Sequence, residues 1–392
     1  MSNKKILFIH HLSVIGGATK SLLSLTLSAQ KKGYDVSVLF FGVKGNAFNW
    51  FVANNIDCHN FSDGKVFQHA NGAYIPIIQK RPYRFLSIFL SAFFSIKKTR
   101  KIISKFSPDL VYLNTSLLFP SAIAAKQLNL KVIWHLREQI HDGIFGLRKR
   151  IMKSFFKKFS DHIVAISHTN ANKLNLKKCN VIYNSTKYNP VIDSKKLLEL
   201  KNKLNLKNKK VICFLGGSIK SKGADTLFET LLLLKKKYKN FCVIIAGKFS
   251  LKGNKLNRIE KKVKKIIKND PDLLNYIRFV GVLDDVNPLL KLSDVLIWPA
   301  KTSHFARPII EAMMAETLVL ASDFESSREI IVHNKTGFLS KPNSVSFHRI
   351  LLRILKDKNL TKIVTEAKEL ANLSFNQKVN LEQNIKLISK II

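Results

Sequence analysis

Acidic residues are scarce in this chain: 26 Asp and Glu stand against 66 Lys and Arg over 392 residues, a formal charge of +40. The excess is mostly lysine, 54 against 12 arginines, spread over every segment. Such a balance fits nucleic-acid binding, attraction to anionic lipid, or a lysine-rich composition with little functional content. No zinc-finger spacing, basic-zipper heptad or RNP-type aromatic motif is present, which removes the usual supports for nucleic acid. Cysteines are few and scattered, Cys58, Cys179, Cys213 and Cys242, with no C-x-x-C pair. That excludes a disulfide framework and zinc-ligand spacing, and the four read as small apolar residues in a reducing compartment. Long apolar runs are missing too. "FLSIFLSAFFSI" (85–96) is too short to span a bilayer. "KKILFIHHLSVIGG" is broken by His10, His11 and two glycines and lacks a small-residue cleavage site, so it reads as a first buried strand and not as a signal peptide. The expected location is the cytosol.

What is present is a series of short β-branched and aromatic runs with helical segments between them. They are "ILFI" (6–9), "VSVLFF" (36–41), "LVYLN" (110–114), "VIWH" (132–135), "HIVAIS" (162–167) and "VIYN" (181–184), then "VICFLGG" (211–217), "CVIIAG" (242–247), "IRFVG" (277–281), "VLIWP" (295–299), "TLVLAS" (317–322) and "GFLS" (337–340). Runs this apolar suit strands buried on both faces, and the alternation predicts an α/β fold with parallel sheets and right-handed crossovers. The series pauses over the polar residues 185–210, which contain Pro190. With 46% hydrophobic residues the chain can fill two cores. The expectation is two doubly wound domains, 1–188 and 189–374, with a terminal helix from about 375 to 392 packing back on the first. Ligand groups are then expected at the carboxyl ends of the strands.

Four stretches just after strands carry candidate chemistry. In "HHLSVIGGATKSLLSL" (10–25), Gly16 and Gly17 precede a helix whose N–H groups could face an anion, or simply turn the chain. In "FLGGSIKSKGADTLFETLLLL" (214–234), Gly216 and Gly217 end a strand and Lys222 opens a helix, where an ammonium suits a diphosphate; a solvated lysine is the bland reading. The loop lacks the Walker A spacing. In "TSHFARPIIEAM" (302–313), Arg307 and Pro308 precede Glu311, expected in the first turn of a helix, as a dipole-stabilising acid or as the acceptor of two vicinal hydroxyls. In "VIWHLREQIHDG" (132–143), His135 could donate to a phosphate oxygen, sugar carbonyl or hydroxyl, or be a satisfied core histidine. Asp270 and Asp272 flank Pro271 and read as turn chemistry, so no metal is expected.

Taken in order, "IGGATKSLL", "VIWHLRE", "DHIVAIS", "VIYNS", "GGSIKSKG", "LSDVLIWPA", "FARPIIEAM" and "HNKTGFL" resemble glycosyltransferase family 4, almost end to end. The resemblance implies the GT-B fold of two facing Rossmann-like domains with a cleft between them. It implies retaining, metal-independent glycosyl transfer without cofactor, from a nucleotide diphosphate-sugar to a glycan or lipid-linked acceptor. Surface polysaccharide, capsule or lipopolysaccharide synthesis is the implied setting, and no nucleic-acid partner is implied. Lys222 matches the diphosphate-binding lysine, Glu311 the second, ribose-holding glutamate of the E-x7-E motif, His135 the histidine near donor sugar and phosphate, and Gly17 the glycine loop. The chain departs from the family at Ser303, where the first motif glutamate usually contacts the transferred sugar, and at Gly217, where an arginine is common. Arg307 could partly compensate. Glu316 and Leu318 replace Gly and Pro, and "FESSRE" replaces a glycine-rich loop before Glu329, though Ser326 and Ser327 still offer donors. Glu329 is expected to steady the mouth of that loop. A non-catalytic scaffold of the same fold is the alternative.

The stretch 79–106 places Phe85, Ile88, Phe89, Ala92, Phe93, Ile96 and Ile103 at helical spacing, with Lys80, Arg81, Arg84, Lys97, Lys98, Arg100, Lys101 and Lys105 at its ends. This suits a helix in an anionic membrane interface, or a core helix with solvated flanks. "GLRKRIMKSFFKKF" (146–159) is a second candidate. The resemblance favours peripheral attachment to the inner face of the plasma membrane, through the N-terminal domain.

Overall fold

In the computed structural model, which describes residues 3–11, 13–63, 66, 87, 90–140, 142, 144–176, 179–186, 192–253 and 255–392, every paired strand is parallel. The first sheet holds β1 (Lys5–His10), β2 (Asp35–Phe41), β3 (Asp57–Phe61), β4 (Leu110–Leu113), β5 (Lys131–Leu136), β6 (His162–Ala165) and β7 (Asn180–Val181), in the order β3-β2-β1-β4-β5-β6-β7. The second holds β8 (Lys210–Phe214), β9 (Phe241–Ala246), β10 (Ile277–Gly281), β11 (Val295–Trp298), β12 (Leu318–Ser322) and β13 (Phe338–Ser340), ordered β10-β9-β8-β11-β12-β13. Strand order reverses between β1 and β4 and between β8 and β11. A doubly wound sheet opens its ligand crevice at such a point, because the flanking connections leave on opposite faces.

The chain forms two compact units, Met1–Asn184 with Gln377–Ile392, and Ser185–Asn376. All of β9 is buried, as are Ile6 through His10 of β1, so helices cover both faces of each sheet. The apolar runs found in the sequence fall on strands, except that 181–184 meets β7 only at Val181. β3 has no such run. "DCHNF" pairs only with β2, and its residues are exposed or half-buried. An edge strand needs little apolar side chain, so hydrophobic patterning alone misses it.

The helix Gln377–Ile391 belongs to the first unit. Ile385, Leu387 and Ile388 join the core around Phe8, Val38 and Tyr112. Asn384 Oδ1 accepts from Tyr112 Oη at 2.9 Å, and Asn380 Nδ2 donates to the Tyr183 carbonyl at 2.9 Å.

The amphipathic stretch packs as a core helix with solvated flanks, the second of its two readings. Ala92, Ile96 and Ile103 are buried in the first unit's core, so this face of the helix Ile96–Phe106 packs inward and is not a membrane face. Lys97, Lys98, Arg100 and Lys101 are exposed on the other side, together with Leu90, Phe93 and Phe94. Lys80, Arg81, Arg84, Phe85, Ile88 and Phe89 lie outside the described residues. The helix Leu147–Lys158 likewise buries Met152 and Phe156 and leaves Leu147 exposed.

Ile388 is fully buried, whereas Leu373 is 78% exposed. Ile388→Ala is expected to destabilise the protein by about 2–5 kcal/mol, against about 0.5 kcal/mol or less for Leu373→Ala. Denaturant melts of the two variants check this.

Candidate active site

The connections leaving the carboxyl ends of β8, β11 and β12 converge in the second unit. After β8 the backbone passes Gly216 and Gly217, makes a single 3-10 turn at Lys220–Lys222, and enters the helix Ala224–Lys237. Gly217 has φ +51°, and a Cβ there would stand 2.7 Å from the Lys248 carbonyl oxygen. Its N–H donates to the Ala246 carbonyl at 3.0 Å, and Ser218 N–H to that of Lys248 at 2.9 Å. The loops after β8 and β9 are thereby laced together. Gly223 at φ +76° lets the Pro299 carbonyl occupy the space a side chain would need. Lys301 N–H then donates to the Ser221 carbonyl at 2.9 Å, fixing the turn of Lys222 against the connection after β11.

Lys222 sits where these connections meet. Its Nζ donates to His304 Nε2 at 2.6 Å and lies 4.7 Å from the centroid of the Trp298 ring. His304 Nδ1 faces the Thr302 carbonyl at 2.9 Å. A carbonyl oxygen only accepts, so the His304 proton is on Nδ1 and Nε2 offers its lone pair to the ammonium. Burial lowers the Lys222 pKa to about 8. Burial first, and then the Lys222 charge, lower that of His304 to about 4, against a smaller opposing effect of the Thr302 carbonyl. At neutral pH the pair is therefore an ammonium beside an uncharged imidazole. Asp225, one turn further on, takes Lys262 and Lys301 on Oδ2.

The other predicted groups of this unit divide into two sets. Ser303 Oγ donates to Ser326 Oγ at 2.9 Å, joining the connections after β11 and β12. Ser326 and Ser327 are buried in the short helix Glu325–Arg328, and Glu329 is its half-buried C-terminal cap. Arg307 is the first residue of the helix Arg307–Met314. Glu311 is therefore in the second turn, not the first as expected, because the helix starts at Arg307 itself. The dipole falls off within a turn and does not account for a carboxylate there. Glu311 Oε1 instead accepts from Thr186 Oγ1 at 3.1 Å, and Oε2 has no hydrogen bond among the described residues. The expected turn role of Asp270 is joined by an ion pair with Lys235.

In the first unit Gly16 is the N-cap of the helix Gly17–Lys31. Its backbone is extended, and nothing stands within 4 Å of where a Cβ would be. The nearby histidines differ in a decisive way. Thr19 Oγ1 donates to the Val14 carbonyl and so accepts from His10 Nε2 at 3.2 Å; Asn114, whose Oδ1 accepts from Arg137, turns Nδ2 toward His10 Nδ1, also at 3.2 Å. Both His10 nitrogens are satisfied. His135 has one hydrogen-bond partner among the described residues. Asn384 Nδ2 donates to the Asn380 carbonyl, so Oδ1 faces Tyr112 and the phenol must donate to it. Tyr112 Oη can then only accept from His135 Nδ1, 2.7 Å away. Burial, and then Arg137, hold the His135 pKa well below the ordinary imidazole value. His135 Nε2 is thus an unprotonated, buried acceptor with no partner among the described residues. With its one proton facing Tyr112, the ring turns a lone pair outward at Nε2.

A family model described as "Glycosyltransferase Family 4" matches residues 15–186, and one described as "Glycosyl transferases group 1" matches residues 198–370. The chain belongs to glycosyltransferase family 4. An uncharacterized glycosyltransferase of Methanocaldococcus jannaschii is 27% identical over 257 residues, 62% of each chain. One of Haemophilus influenzae is 24% identical over 352 residues, 87% of each. Among solved structures, HepE of Anabaena in complex with UDP and glucose superposes with a TM-score of 0.79 at 20% identity, covering 99% of this chain and 100% of that one. A glycosyltransferase of Rickettsia africae gives 0.78 at 21% identity over 100% and 99%. The protein is a glycosyltransferase with the GT-B fold.

Several groups of this glycosyltransferase escape a reading of its sequence. His304 is 82 positions from Lys222, and no spacing rule links them. Trp298 reads as the end of a buried strand and also supplies the ring beneath the ammonium. The Tyr112–Asn384 contact spans 272 positions. Placing at 217 the arginine that the family resemblance led us to expect should fail. Gly217→Arg places an L-residue in the left-handed region, costing about 1–2 kcal/mol before any clash with Lys248. A fall in Tm of at least about 2 °C, with no gain in nucleotide affinity, is the expected result.

Proposed function

We propose that this glycosyltransferase moves a sugar from a nucleotide diphosphate-sugar to a glycan or lipid-linked acceptor with retention at the anomeric carbon. The observation that carries the reading is Lys222, an ammonium at the carboxyl end of β8 whose hydrogen-bond partner is uncharged. In the proposed complex Lys222 binds the diphosphate, with the Gly216–Gly217 turn passing beside it. Glu311 accepts from ribose hydroxyls through Oε2, and Ser303, Ser326, Ser327 and Arg307 complete the donor contacts. In the first unit, Gly16 and Gly17 open a helix whose N-terminus suits an anion, and His135 Nε2 accepts from a sugar hydroxyl. The anomeric carbon–oxygen bond to the β-phosphate breaks, a bond to the acceptor oxygen forms on the same face, and the departing phosphate oxygen takes the acceptor proton. That balance calls on no metal and no side-chain base. Stabilising charge on the leaving diphosphate is then the protein's main catalytic contribution. Structures of the Anabaena neighbour contain UDP and UDP-glucose, which makes UDP the first nucleotide to try.

Calorimetry with UDP, GDP and ADP is expected to find one that binds. Lys222→Ala should weaken it about 10- to 100-fold, the worth of a charge-assisted contact, and abolish hydrolysis of the matching nucleotide-sugar. Ser303, in place of a carboxylate, favours a second reading as a non-catalytic scaffold, which nucleotide binding without hydrolysis or transfer would establish. Because burial lowers the Lys222 pKa to about 8, its charge is largely present at pH 7 and largely lost at pH 9. Affinity is expected to fall up to about tenfold between those values, and the Lys222→Ala variant should lack that slope.

A membrane role is the second part of the proposal. No helix of the described residues is long and apolar enough to cross a membrane. Peripheral attachment is supported by exposed Leu90, Phe93 and Phe94 (79% exposed) beside Lys97, Lys98, Arg100 and Lys101. Each basic residue near an anionic surface contributes about 1 kcal/mol. Changing those four to Ser is expected to release the protein from phosphatidylserine vesicles in flotation assays; undiminished binding would remove this part of the proposal.

A further inference from the structure

We infer that His304 is a positioning residue for Lys222: it holds the ammonium in place through an uncharged acceptor, leaving the full positive charge for the anionic ligand. The inference rests on the reading of Lys222 as a diphosphate-binding group and concerns how its charge is kept available.

A lysine drawn into a half-dry corner ordinarily acquires a carboxylate, since burial penalises a lone ammonium. Elsewhere in the same unit this is what happens. Lys235 pairs with Asp270, and Lys262 pairs with Asp225 and Glu229. Lys222 has no carboxylate within ion-pair distance among the described residues. Asp225, the nearest in sequence, has Lys262 and Lys301 on its one engaged oxygen. The position is taken instead by His304. The Thr302 carbonyl fixes the imidazole proton on Nδ1, so Nε2 can only accept. The Trp298 ring adds a second uncharged contact, with its negative face toward the ammonium. The 3-10 turn and the connection after β11 are themselves tied by the Lys301–Ser221 hydrogen bond, which sets Lys222 and His304 within reach of each other. A carboxylate at 304 would hold Lys222 equally well and cancel its charge. An imidazole holds it without cancelling anything.

Three variants separate this role from simple packing. His304→Glu keeps an acceptor but makes it anionic. His304→Gln keeps an uncharged acceptor, and His304→Ala removes it. Two readouts are taken on the intact chain: the affinity for UDP by calorimetry, and the pH midpoint of Lys222 acetylation, followed by peptide mass spectrometry. His304→Glu is expected to raise the midpoint by about one pH unit or more, because an opposite charge stabilises the ammonium. It should also weaken UDP binding by about tenfold or more, because that charge is no longer free. His304→Ala is expected to lose about three- to tenfold in affinity, and His304→Gln to recover most of that loss. Unchanged affinity and midpoint in His304→Glu would overturn the inference, as would a His304→Gln variant no better than His304→Ala at equal Tm. If the wild type binds none of UDP, GDP and ADP, the functional reading fails, while the acetylation midpoints still decide whether His304 governs the Lys222 charge.

Discussion

A parallel sheet buried on both faces has only its ends left for polar chemistry. In this protein that constraint places nearly every functional group. The buried residues of β8 and β9 leave little room for polar side chains, so a lysine or a serine cluster finds its place in the connections that follow the strands. The reversal of strand order between β8 and β11 then separates two connections widely enough to leave a crevice, and the glycines at 217 and 223 let those connections approach their neighbours closely.

Uncharged partners are the recurring device at these strand ends. His10 is neutral and satisfied on both nitrogens, His304 is neutral and holds Lys222, and His135 is neutral with one nitrogen bare. In each case burial keeps the imidazole from competing for a proton at physiological pH, and a fixed neighbour dictates which nitrogen carries the hydrogen. A lone pair or an ammonium held in this way is ordered before any contact is made, and a pre-ordered group has less entropy to lose on binding.

The lysine excess has a more ordinary place. Many lysines lie on solvated helix faces, and several acids that remain are engaged by them, as Asp225 and Glu316 each are by two. Exposed pairs of this kind contribute little to stability. The apolar stripe at 92–103 illustrates how one pattern serves two readings: Ala92, Ile96 and Ile103 pack on the core, while Phe93 is exposed.

The sequence by itself determined the α/β class, most of the strands and the family, because buried parallel strands must be short continuous apolar runs and their loops must carry glycine and charge. It also pointed to Lys222 and Glu311 in connections that follow strands, and to His135 at the carboxyl end of β5. Only the tertiary structure decided what those groups are. His304 meets Lys222 from another connection, Glu311 stands in the second turn beside Thr186, and Asn384 reaches Tyr112 from the last helix. The edge strand β3 also had to await it. Hydrogen-bond direction and charge state depend on neighbours distant in the chain, and hydrophobic periodicity holds no record of which distant residues will meet.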